Sequence, residues 1–279
     1  MDDSILPVDQ PRISPHFRIE SGSFFQLGFV MSMWKTLLQW YSPAIFYRRT
    51  GRLLPWLRII TIVLFSLGLW TGLAVAPADY QQGDAFRIIY LHVPSAFLSL
   101  GLYAFCTSMA VVTLVWRIKI AELLLTTALP IGASMTALAL ITGSLWGKPM
   151  WGTWWIWDAR LTSELVLLFV YLGLIGLHQA LPSSTSKTRI LAIMVLVGSV
   201  DLPIIHYSVA WWNTLHQGSS LSLFAKPTIV GSMLYPLLIQ LAAFSTFSAW
   251  QILQRTRSTL LAQEKRSQWV QQIVTQVPA

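Results

Sequence analysis

The chain has 279 residues, of which 54% are hydrophobic and only 11% charged, with a mean hydropathy of +0.58. A water-soluble globule carries about 25% charged residues, so this composition excludes one and indicates an integral membrane protein. The net charge of +8 does not point to nucleic acid, because the basic residues lie in short runs between apolar stretches rather than on one soluble surface.

Residues 1–22 contain Asp2, Asp3, Asp9, Arg12, Arg18, Glu20 and three prolines. They lack the apolar core of a signal peptide and are expected to be disordered. Phe24 to Tyr47 is apolar and aromatic but interrupted by Lys35 and Pro43, which suits a cytoplasmic interfacial helix better than a membrane span. Six apolar stretches of spanning length, with at most one charged residue each, follow: Leu57 to Ala76, Pro94 to Trp116, Leu123 to Leu145, Leu165 to Leu181, Ile190 to Val209 and Thr228 to Leu253. The expected fold is therefore an all-α integral membrane protein of six transmembrane helices. Residues 1–55 form a cytoplasmic segment, 56–253 the membrane domain and 254–279 a cytoplasmic tail.

The basic residues orient the bundle. Fifteen of the 19 lie at the start of the chain through Arg58, at Arg117 and Lys119, at Lys187 and Arg189, or in the tail. Only Arg87, Lys148, Arg160 and Lys226 lie elsewhere. Both termini are thus expected on the cytoplasmic side, with external connections near residues 77–93, 146–163 and 210–227.

Seven of the 14 tryptophans fall in two of these external connections. The stretch Trp146-Gly-Lys-Pro-Met-Trp151-Gly152-Thr-Trp154-Trp155-Ile-Trp157-Asp158-Ala-Arg160 holds five in twelve residues, whereas an interfacial belt would spread its rings over six helices and both surfaces. A helix continuing past Gly152 would put Trp151, Trp154, Trp155 and Asp158 on one face as a flat aromatic platform. The other cluster is Trp211-Trp212-Asn-Thr-Leu-His216-Gln-Gly218. The remaining external connection supplies Tyr90-Leu-His92-Val-Pro94, where Pro94 suits the first turn of a helix and sets His92 at its outer mouth.

Histidines beside an aromatic platform suit a planar, apolar, metal-centred ligand with an acidic edge, which describes haem. Imidazoles would hold the iron, indoles would pack on the macrocycle, and Arg87, Lys148 or Arg160 would meet the propionates. On chemistry alone His92, His206 and His216 have equal claims as ligands, while His16 and His178 lie in the disordered start and at a cytoplasmic helix end. The single cysteine, Cys106, and the lack of Cys-x-x-Cys-His argue against covalent haem attachment. Gly143 to Lys148 lacks the spacing of a phosphate loop. Gly68 with Gly72, and Gly143 with Gly147, have the small-residue spacing of close helix packing within the chain. Glu164 and Asp201, acids at span ends, count as functional candidates.

Four stretches together resemble the CcmC family of bacterial cytochrome c maturation, whose members share a tryptophan-rich "WWD" loop. They are Ala76-Pro-Ala-Asp-Tyr-Gln-Gln-Gly83, Arg87-Ile-Ile-Tyr-Leu-His92-Val-Pro94, Trp146 through Asp158 to Glu164, and Leu202-Pro-Ile-Ile-His206 through Gly218. The resemblance runs from Met33 to the C-terminus and leaves residues 1–32 as an extension. It implies a non-enzymatic protein of the cytoplasmic (inner) membrane with a periplasmic WWD loop. Haem b would be a transient, non-covalent cargo with His92 and His216, not His206, as axial ligands. Trp151, Gly152, Trp154, Trp155, Trp157 and Asp158 would present it. The implied partners are the periplasmic haem chaperone CcmE, an ATP-driven CcmA/CcmB complex, CcmD and membrane lipid. A b-type electron-transfer cytochrome subunit and a permease for another substrate are the alternative classes.

Overall fold

Uncharged runs rich in leucine, isoleucine and alanine fold as helices in a membrane because only internal hydrogen bonding satisfies the backbone there. A computed structural model of the chain describes residues 42–182, 184–212, 214–216 and 229–275. Six spanning stretches run in it: 43–75, 84–116, 119–151, 159–180, 185–211 and 231–263. Among the described residues there is no β-strand beyond one bridge between Asp79 and Gly83. The chain is an all-α, multi-pass membrane protein. The sequence expectations over residues 1–41 and for Lys226 lie outside the described residues.

The helices extend past the stretches marked by hydropathy. Helix α1 (Pro43–Trp70) starts on Pro43, whose missing N–H is harmless at that position, and ends in one π-helical turn, Thr71–Val75. The region 77–93 is helical for half its length, as a 3₁₀ turn (Asp84–Ile88) leads directly into α2 (Ile89–Trp116). Pro94 therefore lies inside the helical segment rather than at its start. Arg117, in the left-handed conformation at φ 55°, closes α2 before α3 (Lys119–Trp151) returns. Helix α4 (Ala159–Ala180) is capped by Asp158, and the fifth span is two helices, α5 (Thr185–Gly198) and α6 (Asp201–Trp211), separated by Ser199 and Val200. Helix α7 (Gly231–Gln263) is the last span, and a short α8 (Gln268–Thr275) follows it.

Helix α3 is the central element and packs against α2, α4 and α7, while α1 lies mainly on α7. The deepest packing is aromatic. Tyr103 of α2 and Tyr171 of α4 are wholly buried and meet edge to face at 5.1 Å. Their hydroxyls donate to the backbone carbonyls of Val195 (3.1 Å) and Ser99 (2.9 Å). Gly132 and Gly198 admit these rings, since a Cβ there would come within 2.3 Å of Tyr171 and 2.1 Å of Tyr103. Gly68 and Gly72 likewise bring α1 against Gln240 and Tyr90, so this small-residue pair serves packing within the chain.

The two ends of the bundle differ in chemistry. At one end Lys119 pairs with Glu264 at 2.9 Å, Trp269 donates to the same carboxylate, and Arg257 stacks 3.6 Å above the Tyr47 ring. Burial would raise the Glu264 carboxyl, but the bonds from Lys119 and Trp269 outweigh it and hold that group below the usual range. At the other end the connections after α1, α3 and α6 meet, bringing the tryptophan-rich segment beside the histidines.

Candidate functional site

His92 sits in the first turn of α2, 9% exposed, with its ring held from α3. Its Nδ1 lies 3.1 Å from the Ala139 carbonyl and 3.1 Å from the Thr142 hydroxyl. That hydroxyl donates to the Leu138 carbonyl at 2.6 Å, so both neighbours accept from the ring and Nδ1 carries the proton. In the neutral ring Nε2 then keeps its lone pair for a metal, with the other nitrogen fixed by a carbonyl as metal-ligating histidines usually have it. Gly143, on the same face of α3, leaves the ring its space, because a Cβ there would sit 3.1 Å from Cε1. This second small-residue position thus also serves packing within the chain. One turn on, Trp146 meets His92 edge-on at 5.6 Å and donates to the Gln82 side chain at 2.8 Å. That bond ties the Asp79–Gly83 turn to α3.

His216 reaches the same place from the connection after α6. Its ring centre lies 6.3 Å from that of His92 and 6.3 Å from Trp151. Burial, reinforced by the nearby Arg160 cation and opposed by Asp158, pushes its imidazole down to about 4, so the ring is neutral near pH 7. Its Nδ1 is buried and has no partner among the described residues. The backbone N–H of His216 donates to the Thr214 hydroxyl at 3.0 Å, and Thr214 donates in turn to Asp158.

The tryptophan segment departs from the continuous helix expected. Helix α3 stops at Trp151 because Gly152 turns left-handed at φ 74°, its N–H donating to the Lys148 carbonyl at 3.1 Å. Residues 152–158 are irregular until Asp158 caps α4 by accepting from the Leu161 N–H at 2.8 Å. The four residues expected on one helical face are thereby split: Trp154 is exposed, while Trp151, Trp155 and Asp158 are half-buried, and Trp157 beside them is exposed as well. Trp155 meets Trp157 edge-on at 5.5 Å. Two shallow grooves flank Trp157. One, of about 330 Å³, lies between Leu140, Ser144, Trp155 and Leu165, and the other, of about 420 Å³, between Asp158, Trp212 and Leu215.

The three candidate cations are not equivalent. Arg87 is engaged by Asp84 at 2.8 Å and the Gly72 carbonyl at 2.9 Å, and Lys148 donates to the Gly152 carbonyl at 3.0 Å while lying 5.7 Å above the Trp154 ring. Arg160 is close enough to act on His216, donates to the Ile205 carbonyl at 2.9 Å, and forms no ion pair among the described residues. His206 is apart from this cluster. It is exposed on α6 and packs on Tyr207, which stacks on Trp211 at 5.2 Å. Glu164 lies deeper, 6% exposed and bonded to the Ser99 hydroxyl at 2.5 Å, and one Asp201 oxygen is buried without a partner.

Residues 36–271 match the family described as Heme exporter protein C. The chain belongs to this family. It is 50% identical over 242 residues to the Heme exporter protein C of Escherichia coli (strain K12), which is 87% of this chain and 98% of that protein. The protein of the same name from Haemophilus influenzae is 48% identical over 238 residues, 85% of this chain and 97% of its own. A putative cytochrome c biosynthesis ccmC-like mitochondrial protein of Marchantia polymorpha is 41% identical over 199 residues, covering 71% of this chain and 84% of the relative.

The stretch matched to the Heme exporter protein C family contains both paired histidines and the whole tryptophan segment. It also contains residues that reading the sequence did not single out as part of the site. Thr142 and Gly143 set the His92 ring, and Gln82 and Thr214 tie two connections to it. Gly143 had a signal, its spacing from Gly147, but nothing local in the sequence names the ring it faces.

Proposed function

We propose that the chain handles haem during cytochrome c maturation, holding it at the tryptophan-rich end with His92 and His216 as axial ligands. The observation that carries this reading is the pair itself: two imidazoles on different elements, ring centres 6.3 Å apart, His92 held at Nδ1 by the Ala139 carbonyl and His216 with an Nδ1 that has no partner among the described residues. Two iron–nitrogen bonds of about 2 Å, extended by the half-width of each ring, set imidazole centres about 6 Å apart. The irregular segment from Trp151 to Asp158 presents indoles to the macrocycle. Arg160, close enough to act on His216 and forming no ion pair among the described residues, is the propionate contact, with Arg87 and Lys148 as the other candidates.

In this reading haem b is a transient, non-covalent cargo. His216 comes from a connection rather than from a span, which suits a carrier that gives its ligand away more than an electron-transfer cytochrome with both ligands deep between helices. The charge distribution supports a bacterial inner-membrane protein with the tryptophan-rich end in the periplasm and both termini in the cytoplasm. There haem passes to the chaperone CcmE. CcmA, CcmB and CcmD would form the surrounding complex, with ATP hydrolysis supplied by the partner, since no phosphate loop occurs in this chain. Mixing the haem-loaded protein with the purified chaperone tests delivery. Trp154→Ala with Trp155→Ala is expected to keep the six-helix fold and lose transfer, and unchanged transfer would contradict the role given to the loop.

A further inference from the structure

Thr214 lies inside the Trp211–Gly218 motif but was given no role there, and it is the joint between that motif and the tryptophan segment. Its hydroxyl proton goes to one carboxylate oxygen of Asp158, and its oxygen accepts the His216 backbone N–H at 3.0 Å. The other carboxylate oxygen accepts the Leu161 N–H at 2.8 Å, at the N-terminus of α4, where the helix favours a negative charge. The bonds run in one direction, from the His216 N–H through the Thr214 O–H to the Asp158 carboxylate, so each polarises the next. Both carboxylate oxygens of Asp158 are thus committed to protein donors.

We propose that Asp158 and Thr214 form a latch that fixes the connection bearing His216 onto the first turn of α4, making Thr214 a positioning residue for the His216 ligand. This rests on the reading of His92 and His216 as haem ligands. His216 lies outside any helix and has no partner on its ring Nδ1 among the described residues, so its place 6.3 Å from His92 depends on how its backbone is held. Asp158 also ends the tryptophan segment, so that segment and the ligand are anchored to one helix end and move together. A threonine or serine at 214 serves the latch. Valine keeps the shape and removes the hydroxyl.

The full-length chain purified in detergent with ferric haem tests this, read as haem retained and as the spin state in the visible spectrum. Wild type and Thr214→Ser are expected to give the six-coordinate, low-spin spectrum of two imidazoles. Thr214→Val and His216→Ala are expected to share a spectrum that has lost one ligand, to retain haem about tenfold less well, and to return to low spin with added imidazole. Asp158→Ala with Thr214→Val should lose no more haem than Asp158→Ala alone, because the two residues act through one chain of bonds. A wild-type spectrum for Thr214→Val beside a changed one for His216→Ala would overturn the latch and leave the ligand assignment standing, as would additive losses in the double variant. A wild-type spectrum for His216→Ala would overturn the ligand assignment and the latch with it.

Discussion

Gly143→Ala puts one methyl group against a proposed haem ligand. The new Cβ would lie 3.1 Å from Cε1 of His92 and 3.5 Å from its Nδ1, whereas carbon atoms rest comfortably at about 3.5–4.0 Å. The ring has to retreat by roughly half an ångström, and its bond to the Ala139 carbonyl is already 3.1 Å long. Overpacking costs about 1–3 kcal/mol, while alanine gains up to about 1 kcal/mol of helix propensity over glycine. The net loss of stability is therefore small, about 0–2 kcal/mol. The displacement acts mainly on ligation, and haem retention is expected to fall about tenfold, which corresponds to about 1.4 kcal/mol. Gly176→Ala in α4 is the control, because its Cβ would meet nothing within 4 Å. Thermal unfolding and the haem-to-protein absorbance ratio of both variants in detergent measure the two effects. Full haem retention in Gly143→Ala with wild-type stability would show that the His92 ring is not confined as argued.

Further expectations concern the bundle that carries the site. Gly132→Ala drives a methyl to within 2.3 Å of the buried Tyr171 ring, so a loss of about 3 kcal/mol or more is expected in reversible unfolding, and a loss under 1 kcal/mol would refute the packing described. Glu164→Gln keeps a hydrogen-bonding partner for Ser99 and is expected to fold nearly as well as wild type, whereas Glu164→Leu costs about 1–3 kcal/mol, and equal effects would contradict the bond. Glu264→Gln removes the pairing with the half-exposed Lys119, worth less than about 1 kcal/mol at pH 7. Because the Glu264 carboxyl is held below its ordinary range in the fold, that stability is present above the unfolded carboxylate range and lost as pH falls through the folded value. The wild-type and Glu264→Gln unfolding curves should therefore converge in acid, and a constant gap at all pH values would refute this.

Much of the fold was legible because a membrane imposes a simple grammar: six apolar runs with at most one charge each became six spans. The limits of the spans were not legible, since helices continue through residues such as Lys148 and Pro149 as long as the backbone stays satisfied, whereas hydropathy stops at the first polar group. His92 consequently lies buried in a helix preceded by a 3₁₀ turn rather than at a loop's edge. The tryptophan segment shows the opposite error. Its spacing imitates a helical face, but Gly152 and Asp158, a C-terminal glycine and an N-cap acid, were the signals that end one helix and begin the next. At the site, reading residues left His92, His206 and His216 equal. Only tertiary contacts bring His216 to His92 and leave His206 outside, and only they reveal Thr142, Gly143 and Thr214.

The central claim is that His92 and His216 hold haem together, and one experiment addresses it most directly. Haem bound to the purified protein is compared by absorption and electron paramagnetic resonance spectra among wild type, His92→Ala, His216→Ala, the double variant and His206→Ala. Wild type and His206→Ala are expected to show the same low-spin signature with full occupancy, each single variant a changed spectrum, and the double variant almost no haem. Unchanged haem content and spectrum in the double variant would contradict the account.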